Sequence, residues 1–148
     1  MKLVTFENVA RQSRIGAIAP ENRVVDLHVA SATYLRDVEG ASAYYRLADA
    51  LVPPEMKALF SGGDSSLKAA QQAFDHAMLL GPKTVGPQGE ALFYNLRDIR
   101  LRAPIIRKKF FHTAGNFREH HEEATKAGFS HPVMPWIVFF QNVDAIVG

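Results

Sequence analysis

The chain has 148 residues, of which 17 are basic and 15 acidic, giving a net charge of +2, and 47% of it is apolar. That composition supports a packed core and argues against disorder, while the near balance of charge offers no polyanion-binding surface. No cysteine occurs, which removes disulfides and thiolate metal sites and is compatible with a reducing compartment. There is no amino-terminal basic and apolar leader, and no apolar run long enough to span a bilayer. A cytoplasmic protein with neither membrane nor nucleic acid as partner is therefore expected.

In chain order, Leu3 to Phe6, Arg14 to Ala19 and Arg23 to Leu27 are short β-rich runs separated by Asn8, Ser13 and Pro20-Glu21-Asn22, a pattern that predicts a small antiparallel meander. Helical sequence follows. Ser31 is a candidate N-cap for a segment from Ala32 that Gly40 interrupts, and a second helix runs from Ala41 to Leu51, ended by Pro53-Pro54. A short helix with proline early reaches Phe60 and stops at Gly62-Gly63, after which Asp64 opens a longer one through Leu80.

Gly81-Pro82-Lys83 and Gly86-Pro87-Gln88-Gly89 break the helical pattern and form the best linker candidate. The boundary is placed between residues 81 and 103. This gives a small α+β domain over 1–95, with the linker near 81–90, and the beginning of a β-rich domain over 96–148. Within the second part, strands are expected at Asp98 to Leu101 and Lys109 to His112. Arg97, Arg100, Arg102, Arg107, Lys108 and Lys109 alternate with aliphatic residues, as on an exposed strand edge; a single-strand nucleic-acid groove would interleave aromatic rings with the charges.

The segment Asn116-Phe117-Arg118-Glu119-His120-His121-Glu122-Glu123 is the most informative. On a helix, His120 and Glu123 share a face, where the carboxylate can orient the imidazole and stabilise its cation. On spacing alone the same residues read more simply as a hydrated helix face, because their neighbours are polar. His112 fits a hydrogen-bonded core histidine, and His28, His76 and His131 have no acidic or histidine partner at a metal-ligand spacing. Asn116 after Gly115 also suits a turn with positive φ, and Phe117, Trp136, Phe139 and Phe140 are most simply core aromatics.

Asn116, Phe117, His120 and Glu123, then Pro135 and Phe139, then Ile146-Val147-Gly148, resemble the fumarylacetoacetate hydrolase family pattern, roughly G-x-N-Y-x-x-H-x-x-E, P-x-x-F-x-K and a hydrophobic-Val-Gly. Upstream, Met1 to Phe6, Arg14 to Ile18, Val24 to Leu27 and Leu101 to Ile105 are similar in order to the amino-terminal half of that family. Three departures stand out: Phe117 replaces tyrosine, Gln141 replaces lysine, and the glycine sits one place late, as Gly115.

The resemblance implies a metal-dependent hydrolase, linked to aromatic-compound catabolism, that cleaves a carbon-carbon bond in a β-dicarbonyl or acylpyruvate-type 2-oxo acid. It is the flanking family pattern that favours the catalytic reading, in which His120 would be the general base and Glu123 its orienting carboxylate, with Asn116, Phe117 and Gln141 as substrate-binding candidates. The family's Mg²⁺ (or Mn²⁺ or Ca²⁺) ligands, an E-x-E pair and a later aspartate, would lie downstream of Gly148, so the chain is expected to be the amino-terminal part of the enzyme. A homodimer or a complementing chain is the expected partner. Isomerase or decarboxylase activity of the same family, and a non-catalytic interaction domain, are the alternatives.

Overall fold

The structure, a computed structural model, describes residues 1–105, 109–113, 122–123, 125–128 and 138–142. Met1–Ile105 forms one compact unit and the residues after it a second. Among the described residues the protein is a mixed α+β molecule with antiparallel sheets and four α-helices. The elements of the first unit are β1 (Leu3–Glu7), β2 (Ser13–Ala19), β3 (Arg23–Asp26), α1 (Leu27–Asp37), α2 (Tyr44–Leu51), α3 (Met56–Ser61), α4 (Gly63–Leu80), β4 (Phe93–Asn95), a 3₁₀ turn (Leu96–Asp98) and β5 (Arg100–Arg102).

The meander expected from the first three runs is present, and its turns have local causes. Asn8 Oδ1 accepts the amides of Ala10 and Gln12, each at 3.0 Å, an Asx-type closure of the β1–β2 turn. Between β2 and β3, Glu21 and Asn22 take left-handed φ values of 59° and 54°, a region Asn tolerates better than Glu. The sheet order is β4-β3-β2-β1-β5, all antiparallel.

Strand periodicity sends successive side chains to opposite faces. Ile15, Ala17 and Leu27 pack with Val52, Met56, Leu59 and Ala70 from the helices, while Ala19, Val25 and Leu92 pack with Val29, Ala73 and Ala77. On the opposite face Phe6 is fully buried and its ring lies 5.3 Å from that of Tyr94. Phe6 can reach across because Gly16 has no side chain: a Cβ there would stand 2.9 Å from Phe6 Cε1 and 2.8 Å from Val25 O.

The first helix begins earlier than a Ser31 cap predicts. Asp26, the last residue of β3, is its N-cap, and Oδ1 accepts the amides of His28 and Val29, each at 3.1 Å. The strand therefore passes into the helix without a loop, and Ser31 lies buried inside α1. Pro53-Pro54 precede α3 rather than opening it, since α3 starts at Met56.

The glycine- and proline-rich stretch expected to be the linker lies within the first unit. Gly86 N donates to Glu90 O at 2.8 Å, Val85 bridges Ala91, and Leu92 is fully buried. Downstream, β4 pairs with β3 and β5 with β1, so residues 96–105 complete the first sheet instead of opening a second domain. β5 is the basic edge expected from its sequence, with Arg102 3.7 Å from Glu7. In the second unit β6 (Phe110–Thr113) pairs antiparallel with β7 (Val138–Gln141), and residues 122–123 and 125–126 are helical. No helix among the described residues is long and apolar enough to cross a membrane.

Candidate active site

Of the residues singled out in the sequence, Glu123 and Gln141 are described, and His120, Asn116 and Phe117 lie outside the described residues. Glu123 is exposed and sits in a helical segment, its carbonyl accepting Ala127 N at 3.0 Å. Gln141 is exposed at the end of β7.

The β6–β7 register states which side chains accompany Gln141. Phe110 stands opposite Gln141 and His112 opposite Phe139, and alternation puts these four on one face. There the His112 ring stacks on Phe139 at 5.3 Å with 13° between the planes, and meets Phe110 edge-on at 4.5 Å. Its Nε2 is buried with no hydrogen-bond partner among the described residues, which departs from the hydrogen-bonded core histidine expected from sequence. An imidazole nitrogen and the Gln141 carboxamide thus share a face lined by aromatic rings. Sequence spacing alone carried no signal for this, because the residues come from strands far apart in the chain.

The other face of the hairpin is apolar and open. Phe111 and Phe140 pair across the strands at 4.7 Å, and they are 53% and 74% exposed. An isolated two-stranded ribbon is marginal in water, and this one leaves its aromatic pair open to solvent.

No model of a known protein family and no curated protein matches the chain.

The charged groups of the first unit form a separate set. Asp26, 1% exposed, receives Arg14 Nε at 2.8 Å and Nη2 at 3.1 Å. Burial works against the Arg14 charge, but the hydrogen bond and charge of Asp26 outweigh it and hold the guanidinium above its ordinary pKa. Burial, with the negative charge of Asp26 nearby, pushes the Tyr94 phenol up. Two histidines have acidic neighbours that sequence spacing does not show, because other helices supply them. His28 Nε2 is 3.4 Å from Asp49 Oδ1 while its Nδ1 bonds Val52 O at 2.9 Å, and His76 Nε2 is 3.8 Å from Asp37 Oδ2.

Neither pair has a third ligand among the described residues. Among the described residues no group of three or more His, Asp or Glu side chains converges to hold a metal ion. Mg²⁺ prefers octahedral oxygen coordination, and an exposed Glu123 with a Gln141 amide does not constitute such a donor set. The described residues therefore do not fit the divalent ion that the motif implies.

Proposed function

We propose that this chain belongs to a fumarylacetoacetate hydrolase family enzyme that hydrolyses a carbon-carbon bond in a β-dicarbonyl or acylpyruvate-type 2-oxo acid. The observation that carries the proposal is the ordered set Asn116, His120, Glu123, Pro135 and Phe139 followed by Ile146-Val147-Gly148. The ladder of Phe111 and Phe140 is compatible with it, since an exposed aromatic face of this kind suits packing against a further layer or a second copy.

The part of this chain in the reaction is proton chemistry. His120 takes a proton from water, and the oxygen attacks the carbonyl carbon; collapse of the adduct breaks the carbon-carbon bond, giving a carboxylic acid and an enolate that is then protonated. Glu123 holds the imidazole in the productive tautomer and offsets its charge during transfer. Asn116 and Phe117 shape the segment that carries the base. Gln141 offers an amide N–H to a substrate oxygen where the family pattern has a cation.

The test is hydrolysis of an acylpyruvate by the full encoded polypeptide with Mg²⁺, followed by loss of the enol absorbance. His120→Ala and Glu123→Ala are each expected to reduce kcat by about 10²–10⁴, the usual worth of a positioned base. Undiminished turnover in His120→Ala, or none in the parent protein, overturns the assignment. A second reading, decarboxylase or isomerase, is favoured by Gln141, whose neutral amide holds a carboxylate more weakly; pyruvate release from oxaloacetate with no acylpyruvate cleavage selects it. The exposed aromatic face also suits an interaction domain, which absence of turnover on either substrate selects.

A further inference from the structure

In the first unit α1, α2 and α4 leave a cavity of about 420 Å³ between them, within the range of small-molecule sites. Its origin is side-chain size. Ser31 on α1 and Ala69 on α4 are too small to fill the space, and Leu35, Leu47 and Leu51 stand as its apolar walls.

Ser31 is 2% exposed and lines this cavity. A buried helical hydroxyl ordinarily turns back to a carbonyl one turn earlier, as Thr33 does by donating to Val29 O at 2.8 Å. The Ser31 hydroxyl offers one donor and two acceptor lone pairs to a group in the cavity. At the rim, Tyr34 donates its hydroxyl to Glu39 Oε1 at 3.1 Å, which fixes a carboxylate at the mouth. Glu39 is the sole charged side chain among the lining residues, and nearby Arg36 is engaged by Asp37 at 2.6 Å.

We infer that this cavity binds a small amphipathic amine: an apolar ring or short chain between the leucines, an ammonium group at Glu39, and a hydroxyl or carbonyl that meets Ser31 Oγ. Charge complementarity selects the cation, because a carboxylate in the same place faces Glu39. The site is separate from the candidate active site and stands whether or not the proposed hydrolase activity does.

The experiment titrates the full chain with 2-(4-hydroxyphenyl)ethylamine, its analogue lacking the phenolic hydroxyl, and 4-hydroxyphenylacetate, reading backbone amide shifts by two-dimensional NMR. Saturable shifts at Ser31, Leu51, Ala69 and Gln72 are expected with the amines, and the acid should bind about tenfold more weakly, as attraction is exchanged for repulsion. Glu39→Gln should weaken the amines about threefold to fivefold, the fold-change of an exposed ion pair. Ser31→Ala should weaken the hydroxylated amine and leave its analogue unchanged; Ala69→Leu should block both. No saturable shift, equal binding of the acid, or binding indifferent to Glu39→Gln overturns the inference. Should Ala69→Leu unfold, the Glu39 and Ser31 variants decide.

Discussion

Replacing Asp26 with alanine removes two functions from one carboxylate. The first is the N-cap of α1, with Oδ1 accepting the His28 and Val29 amides; losing such a cap costs about 1 kcal/mol. The second is the partnership with Arg14, made through two hydrogen bonds at 2.8 and 3.1 Å. Removing one member of a buried pair costs about 3–5 kcal/mol, but the Arg14 side chain is 18% exposed and can rotate toward water, so about 2–3 kcal/mol is the reasonable share. The sum, about 3–4 kcal/mol, is a large part of an ordinary domain's stability of about 5–15 kcal/mol. Asp26→Asn keeps an acceptor for the two amides and sets a neutral group opposite Arg14, so it should lose about 2 kcal/mol. The assay is urea unfolding read by far-UV circular dichroism, suitable because α1 to α4 all belong to the first unit. At a slope of about 1.5 kcal/mol/M the midpoint of Asp26→Ala should fall by about 2 M with the slope unchanged. A drop below about 0.5 M, or equal losses for Asn and Ala, would show that the carboxylate does not carry both roles.

Further outcomes follow from individual contacts. Gly16→Ala should destabilise the first unit by about 1–3 kcal/mol, measured in the same urea assay, because its methyl would meet Phe6 Cε1 and Val25 O at 2.9 and 2.8 Å. Glu21→Asn should raise the thermal midpoint, by a stability gain of about 0.5 kcal/mol, since Glu21 has φ 59°; Glu21→Val should lower it, and the reverse order would refute strain at that turn. The Arg36 hydrogen bond, assisted by its charge against opposing burial, holds Asp37 below its ordinary pKa. Its contribution to stability is thus complete above the unfolded carboxylate value and is lost as pH falls through the folded one. Asp37→Asn should accordingly flatten the stability profile below about pH 4, measured by urea unfolding across that range.

How much was legible before folding depends on the range of the interaction. The three opening strands were readable because alternating residues between Asn8 and Pro20-Glu21-Asn22 carry a period of two in the sequence itself. The bounds of α4 were readable within a residue, since Gly62-Gly63 and Gly81 interrupt a helical pattern. The start of α1 was misplaced because Asp26 has two memberships, ending β3 by register with Gly16 and capping α1 by its carboxylate. Ser31, an equally good cap by residue type, is inside the helix for that reason.

Composition, charge balance, the α+β class and the order of the local elements were determined by the sequence alone, because each depends on neighbours a few residues apart. Tertiary structure decided the rest. Residues 81–92 became an internal turn, not a boundary, because β4 and β5 return to β3 and β1 to satisfy strand hydrogen bonds. Asp49 came to face His28 from another helix, and the small side chains of Ser31 and Ala69 met to leave a cavity. Nothing in the local pattern specifies such meetings, which arise when apolar faces from distant segments are buried together and polar groups take whatever partners that burial brings.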